Sequence, residues 1–530
     1  MVAQGLERLL VKGLARAVVA HVEGDVVEHR GMILENGTIR TLDPSLPLAR
    51  SLAIAGELIA GGVGTHETVL ASPEVVDLGG RCVLPGFTDS HVHFPTWAIA
   101  QHEVKLDGSA SLAEALARIE AADVPGTWLR GYGWRSGEWP EGREPTREDL
   151  DAVTGERPAA LISKDYHSLW LNSAALAKAG GDLDVEGGVV ERDSAGQPTG
   201  VLREESAWRF KERYLVTPAG EYVDAMRAGV KLAHARGVTC VHDKDGWLGA
   251  AGLWQELDPQ LRVWQSVPAE KLPELRALSL RSGFGSPLLR IGYLKVFMDG
   301  TLGSQTAWMM DGSGIQITSG EELAEIVRAA AEAGWPVGVH AIGDRANREA
   351  LDAFEATRDV WQPRGLRQRI EHAQCLTPED VPRFAQIGVA ASVQFTHAPS
   401  DEHIAKRFWP DKLDGVYSYR SLLHSGALLA NGSDAPVEEL DPWAGVVAAV
   451  QRHWREDQRL TIDEALHATC VAPAWLSHDE RARGTLLPGR AADLVVLDRD
   501  PLAIEPDELP EVQVVATMVA GRWVYNPPPW

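Results

Sequence analysis

The stretch Val83-Leu-Pro-Gly-Phe-Thr-Asp-Ser-His91-Val-His93 decides how the rest of the chain is read. As a strand it puts His91 and His93 on one face, because alternate side chains point the same way. Two imidazoles at i and i+2 can grip one metal ion from one side. A bare His-x-His is weak alone, since paired surface histidines are common. Its context is stronger: apolar residues run up to Pro85-Gly86, so 81–93 reads as one buried strand with the histidines at its far end. In a parallel α/β barrel, chemistry sits at that end.

Outward from there, strand-like and helix-like stretches alternate, which favours a parallel α/β arrangement. The further strand candidates are 238–242, 261–267, 290–298, 335–340, 368–372, 388–394 and 427–434, with helical patterns between most of them, such as 321–333 and 345–357. With 81–93 they give the strand count of a (β/α)8 TIM barrel. The connection from the first strand to 238 is too long for a simple crossover. It holds a helix at 111–122, a strand at 159–163 and a hairpin at 188–202, so 98–215 reads as an inserted, lid-like subdomain over the barrel mouth.

Both ends of the chain carry short strands. Residues 32–42 read as a strand, an Asn36-Gly37 turn and a second strand. Residues 51–64 repeat the theme, and 492–498 and 514–524 echo it. The expected layout is a composite β-sandwich from 31–80 and 480–530, and a barrel from 81–479. In residues 1–30, Leu6, Leu9, Leu10, Leu14 and Val18 recur at helical spacing. That segment is either an amphipathic helix docked on the body or on a second subunit of a homodimer, or a little-structured extension.

Composition narrows the partners. Hydrophobic content of 45% and charged content of 24% over 530 residues are ordinary for a globular enzyme. A net charge of −24 argues against nucleic acid or an anionic membrane, which need a basic footprint. Cys82, Cys240, Cys375 and Cys470 form no C-x-x-C pair, which fits a reducing compartment and no zinc finger. No apolar run approaches the ~18 residues of a membrane span. The apolar segment 13–22 is short, interrupted by Arg16 and His21, and lacks a cleavage site. A cytoplasmic location is expected.

The strand ends carry a consistent set of groups: His91 and His93 on the first, Lys295 on the fourth, His340 on the fifth, His372 on the sixth and Asp434 on the eighth. Imidazole and carboxylate together suit zinc or a similar divalent ion. Singly, His340 or His372 would be a satisfied core histidine, and Asp434 a helix cap. Their shared position at the strand ends of one barrel is what makes a site. Lys295, flanked by Leu294 and Val296, reads as buried.

Here the chain resembles the amidohydrolase superfamily, within it the N-substituted formamide deformylase-like (YtcJ-like) branch of amidohydrolase family 3. The resemblance runs from Met32 to the C-terminus. It rests on Leu84-Pro-Gly-Phe-Thr-Asp-Ser-His-Val-His, His167-Ser-Leu-Trp-Leu-Asn-Ser-Ala-Ala-Leu, Val241-His-Asp-Lys-Asp-Gly and Lys295-Val-Phe-Met-Asp-Gly-Thr-Leu-Gly-Ser. His340-Ala-Ile-Gly-Asp-Arg-Ala, Ile370-Glu-His-Ala-Gln and Asn431-Gly-Ser-Asp-Ala-Pro-Val complete it. It implies a metal-dependent barrel in which His91 and His93 hold one metal and His340 and His372 a second. Lys295 would capture carbon dioxide as a bridging carbamate, and Asp434 would be the catalytic carboxylate.

The chemistry explains these residue types. A metal lowers the pKa of bound water to ~7, giving hydroxide at neutral pH. A neighbouring carboxylate takes its proton and can return it to a leaving nitrogen. The expected activity is hydrolysis of a C–N bond in a small non-peptide amide, formamide or cyclic amide. Its rivals are a mononuclear deaminase of an aminated heterocycle and an inactive binding protein. In the softer roles, His167 and Trp170 would close over substrate. His242 and Asp243 would support the ligands from behind. Asp299, Ser304, Asp344 and Arg345 would shape mouth loops. Trp97, Trp134, Trp139, Trp170 and Trp308 suggest an aromatic pocket. Gln394-Phe-Thr-His397 departs from the family, which has Pro after the Gln.

Overall fold

The computed structural model describes residues 31–60, 74–124 and 126–530. The expected helix within residues 1–30 lies outside them. Eight parallel strands run in sequence order around a barrel: β1 (Phe87–Val92), β2 (Val238–Asp243), β3 (Arg262–Pro268), β4 (Leu289–Phe297), β5 (Val337–Ala341), β6 (Arg369–His372), β7 (Ala390–Val393) and β8 (Leu429–Asn431). β8 returns to β1 just past its end. Asp434 N–H donates to His91 O at 2.7 Å, and His93 N–H donates to Ala435 O at 2.8 Å. Asp89 staples this seam, its carboxylate accepting from the Ser433 N–H (3.0 Å), the Ser433 hydroxyl (2.5 Å) and the His91 N–H (3.0 Å). Gly432 is required there, because a Cβ would lie 2.4 Å from His91 N.

The stretch 81–93 is not one strand. Cys82–Pro85 belongs to a separate sheet, and the chain changes partner at Gly86. Gly86 N–H donates to Asp493 O, whereas Phe87 N–H donates to Gly237 O in the barrel. The switch needs glycine, since a Cβ at 86 would fall 2.2 Å from the Thr239 side chain.

The two ends of the chain build two sheets. Leu58–Ile59, Leu52–Ala55, Met32–Glu35 and Glu74–Asp77 form one. Arg522–Tyr525, Val514–Val519, Leu494–Leu497, Cys82–Pro85, Thr38–Arg40 and Leu48–Ala49 form the other. A single apolar cluster including Leu34, Ile54, Val83, Leu494 and Met518 fills the space between them. The strands either side of Asn36-Gly37 therefore do not pair as a hairpin. Met32–Glu35 enters the first sheet and Thr38–Arg40 the second, with Asn36 in the left-handed region at φ 59°.

Between β1 and β2 the chain makes a six-stranded sheet in the order Gly188–Arg192, Pro198–Glu204, Ser168–Leu171, Ala159–Ser163, Leu129–Trp134 and Val104–Lys105. It has apolar clusters of its own on each face. Arg135 fastens it to the barrel, donating to Asp401 Oδ1 at 2.8 Å and Ser400 O at 3.0 Å. Lys164 adds an ion pair to Glu438 at 3.1 Å. Among the described residues, no helix is long and apolar enough to cross a membrane.

Candidate active site

At the C-terminal ends of the barrel strands, His91, His93, Lys295, His340, His372 and Asp434 all face one cavity of about 860 Å³. The structure brings together every strand-end residue that the sequence singles out. Ligand atoms of His91, His372 and Asp434 lie within 4.8 Å of one another. His340 and His372 have ring centroids 4.5 Å apart.

Hydrogen bonds behind each ring fix which nitrogen faces the cavity. His91 Nδ1–H donates to Glu371 Oε2 at 2.9 Å, and His93 Nδ1–H to Asp245 Oδ1 at 2.7 Å. A carboxylate only accepts, so the proton is on Nδ1 and the Nε2 lone pair is free. His372 Nδ1–H donates to Gln394 Oε1 at 2.9 Å, which likewise leaves Nε2. His340 is turned the other way: Nε2–H donates to Gly300 O at 3.1 Å, leaving Nδ1. Burial holds the His340 and His372 rings well below their ordinary pKa and brings His91 down to about 4. Neutral imidazole is the metal-binding form.

Asp434 faces the free Nε2 atoms of His91 and His93. Its Oδ1 lies 3.2 Å from His91 Nε2 and 3.5 Å from His93 Nε2, and its Oδ2 lies 3.9 Å from His397 Nε2. Burial alone would raise its carboxyl, but the facing imidazoles of His91, His372 and His93 hold it well below the usual range. The backbone presents it from the left-handed region, at φ 59°. Lys295 is 1% exposed. Among the described residues its Nζ has no hydrogen-bond partner. Burial brings its amine down to about 8, against the pull of Glu371 and Asp434. Bare lone pairs around a carboxylate and an unpartnered amine make a donor set that fits one or two divalent cations.

A layer of charge lies beneath. Glu371 Oε1 accepts from Lys244 Nζ at 2.9 Å and Arg369 Nε at 2.6 Å, while its other oxygen holds His91. His242 accepts from Arg369 at 3.0 Å and so sits behind Glu371 rather than against a ligand. Asp243 accepts from the Trp254 indole at 2.7 Å and from the Asp245 N–H at 2.9 Å. Sequence reasoning missed Glu371, Asp245 and Lys244 as partners. The signal was there, in the residue before His372 and in the acidic end of β2.

The softer candidates divide. His167 lines the cavity, its ring 5.5 Å from that of His340. Trp170 does not: it is fully buried in the insert, its indole donating to Thr146 O at 2.8 Å. Trp134 and Trp139 pack with it there, and Trp97 packs beside β1 and β2. Trp308 sits under Arg345, which pairs with Glu349, and neither lines the cavity. The aromatic wall is made by other residues. Trp247 and Trp208 flank Phe297 at 5.4 and 5.7 Å, and Phe297 meets His340 at 5.0 Å. Asp299 accepts the Ile342, Gly343 and Trp308 N–H groups, tying the loops after β4 and β5 together. Ser304 binds Asp165 and Ser168 of the insert. Asp344 caps the Met310 N–H and pairs with Lys412. His397, noted only as part of a departure, stacks on His372 at 6.3 Å and also lines the cavity.

A closed parallel barrel with imidazoles gathered on a carboxylate at its C-terminal rim belongs among the barrel hydrolases. Residues 74–525 match the model of the amidohydrolase family, and the chain belongs to that family. It is 32% identical to Protein LONG AFTER FAR-RED 3 of Arabidopsis thaliana, covering 93% of this chain and 91% of that protein. It is 30% identical to the putative amidohydrolase YtcJ of Bacillus subtilis (88% and 94% covered). It is 29% identical to the N-substituted formamide deformylase of Arthrobacter pascens (94% and 99%). Among solved structures, an uncharacterized metal-dependent hydrolase from Pyrococcus horikoshii is similar at a TM-score of 0.74 and 30% identity, covering 90% of this chain and 99% of that one.

Proposed function

We propose that the protein is a metal-dependent amidohydrolase cleaving a C–N bond of a small amide, formamide or cyclic amide. The observation that carries this reading is the convergence of the free ring nitrogens of His91, His93, His340 and His372 with Asp434 and the unpartnered Lys295 amine in one cavity. The named formamide deformylase among the relatives supports the substrate class.

His91 and His93 would hold one divalent ion, zinc being the best match for the donor set, and His340 and His372 a second. When bound, such an ion supplies a Lewis acid and lowers the pKa of a water to about 7. Lys295 would stand between the two pairs as a carbamate: the ammonium loses one proton, and the neutral amine adds through nitrogen to carbon dioxide and loses a second, turning a cation into an anion. Asp434 takes a proton from the attacking water and gives it to the leaving nitrogen. Glu371 and Asp245 keep the His91 and His93 rings turned toward the cavity. The aromatic wall takes an apolar substituent of the amide.

The test is turnover of N-formyl, N-acyl and cyclic amides by zinc-loaded protein, with amine, formate and ammonia all measured. Amine release from an amide supports the reading. Ammonia from an aminated heterocycle, with no amide cleaved, would replace it by deamination.

Glu371→Gln is expected to weaken metal binding by about 10–100-fold, since outer partners of ligating histidines are typically worth that much. Competition with a chelator measures it. Unaltered affinity would mean that Glu371 serves only the charge layer beneath.

A further inference from the structure

The insert lends the cavity a cation that nothing in the protein neutralises. Its helix Glu205–Tyr214 runs along the cavity wall, and Trp208 and Lys211 both line the cavity. Three residues apart, they share a face of the helix at a rise of about 4.5 Å. Trp208 meets the rings of His167 at 5.3 Å and Phe297 at 5.7 Å. Lys211 lies over Tyr166 instead, its ammonium 5.4 Å from the centre of that ring. Among the described residues Lys211 makes no hydrogen bond or ion pair. The buried Tyr166 hydroxyl beside it also lacks a hydrogen-bond partner among them. Two unsatisfied polar groups in one corner of a cavity mark a place for a polar ligand.

The surrounding charges do not answer Lys211. Burial lowers its amine from the ordinary lysine range, although Asp245 and Glu103 pull the other way. Asp245 is already taken, accepting from His93 Nδ1–H at 2.7 Å and the Thr96 N–H at 2.9 Å. Burial raises the Glu103 carboxyl against the pull of Arg130 and Lys211, which weakens it as a counter-ion. Arg130 adds a second positive charge, bonding the Thr217 hydroxyl at 2.7 Å and Val216 O at 3.5 Å. Glu205 pairs with Arg209 at 3.0 Å. Glu212, Glu270 and Glu322 also line the cavity, but they are exposed and screened by solvent. A chain of net charge −24 thus keeps an under-compensated cation on its cavity wall.

We propose that Lys211 binds a carboxylate carried by the substrate, so that the site selects small amides bearing a negative charge over neutral ones. This rests on the amide-hydrolysis reading above. The strand-end cluster and Lys211 open into the same cavity of about 860 Å³, so one small molecule can reach both. A carboxylate there supplies the counter-ion that Lys211 lacks and makes a charge-assisted hydrogen bond to it. The carboxylate sits on either the amine side or the acyl side of the scissile bond. Lys211 does not touch the reacting atoms; it sets which amides are held.

The experiment uses two matched pairs with the zinc-loaded full chain, each a carboxylic acid beside its neutral primary carboxamide. N-formylphenylalanine, read by formate, carries the charge on the amine side. N-benzylsuccinamate, read by benzylamine, carries it on the acyl side. The acid should be preferred in one pair. Lys211→Met should lower kcat/KM for that acid by about 10–100-fold, the worth of a hydrogen bond to a charged group. The loss should fall on KM, since the contact is the same before and during reaction. The matching carboxamide should lose far less, and Lys211→Arg should recover part of the preference. Equal losses on acid and carboxamide, or an unchanged preference, would overturn the proposal. Calorimetric binding of the same pairs to Asp434→Asn, with and without Lys211→Met, separates this inference from the hydrolytic reading. A preference for the acid that vanishes with Lys211 upholds it even where no amide is cleaved. Equal binding of acid and carboxamide in both pairs, or binding of neither, refutes it.

Discussion

Asp434→Asn is expected to keep the metal, keep the fold and lose turnover by about 10²–10⁴-fold, the usual worth of a positioned general base. The substitution preserves shape, and the backbone bonds that place residue 434, from its N–H to His91 O and from the His93 N–H to Ala435 O, involve no side chain. What it removes is an acceptor that four imidazoles face and that stays ionised across the neutral range. The loss should fall on kcat rather than KM, because the proton moves only as the reaction proceeds. Elemental analysis beside steady-state kinetics reads both. Turnover within tenfold of wild type would transfer the base role elsewhere, with His397 the first candidate by position.

Lys295→Ala should strip the site of metal, a larger effect than the about 10–100-fold cost of losing an outer partner. Two cations close together in a low-dielectric cavity repel strongly, so an anion must lie between them. The four imidazoles bring no negative charge, and Asp434 acts as the base in this reading. In the proposed reading Lys295 supplies that anion as a carbamate. Short carboxylic acids, which carry the same pair of oxygens, should partly restore metal binding and activity to Lys295→Ala. Should the variant hold a full metal complement without them, the bridging role is wrong and a mononuclear site follows.

That these strand-end residues share one cavity was legible because most of them lie on or close apolar runs, although Asp434 lies past β8 in the left-handed region, where strand periodicity gives no direction. Partnerships were less so. Glu371 faces the barrel interior next to His372, and which of its neighbours it meets depends on the barrel's register, not on local sequence. The tryptophans misled for a related reason. Trp134, Trp139 and Trp170 pack against one another within the insert, and sequence alone does not separate burial in a subdomain core from burial against substrate. The break at Gly86 was equally hidden: Cys82–Pro85 and Phe87–Val92 are both apolar, and only their distant partners, Asp493 and Gly237, tell them apart.

Those distant partners also govern how the molecule is made. Cys82–Pro85 lies between Thr38–Arg40 and Leu494–Leu497, so one side stays unpaired until nearly the whole chain has left the ribosome. β1 likewise waits for residues 433–435 before His91 and Asp434 can meet. A growing chain is thus expected to show no partial activity, and contacts of such long sequence separation are expected to slow its folding. Truncation before Leu494 would uncover the edge of Cys82–Pro85 immediately upstream of the catalytic strand. Such a product should be lost to aggregation or proteolysis, rather than survive as a weaker enzyme.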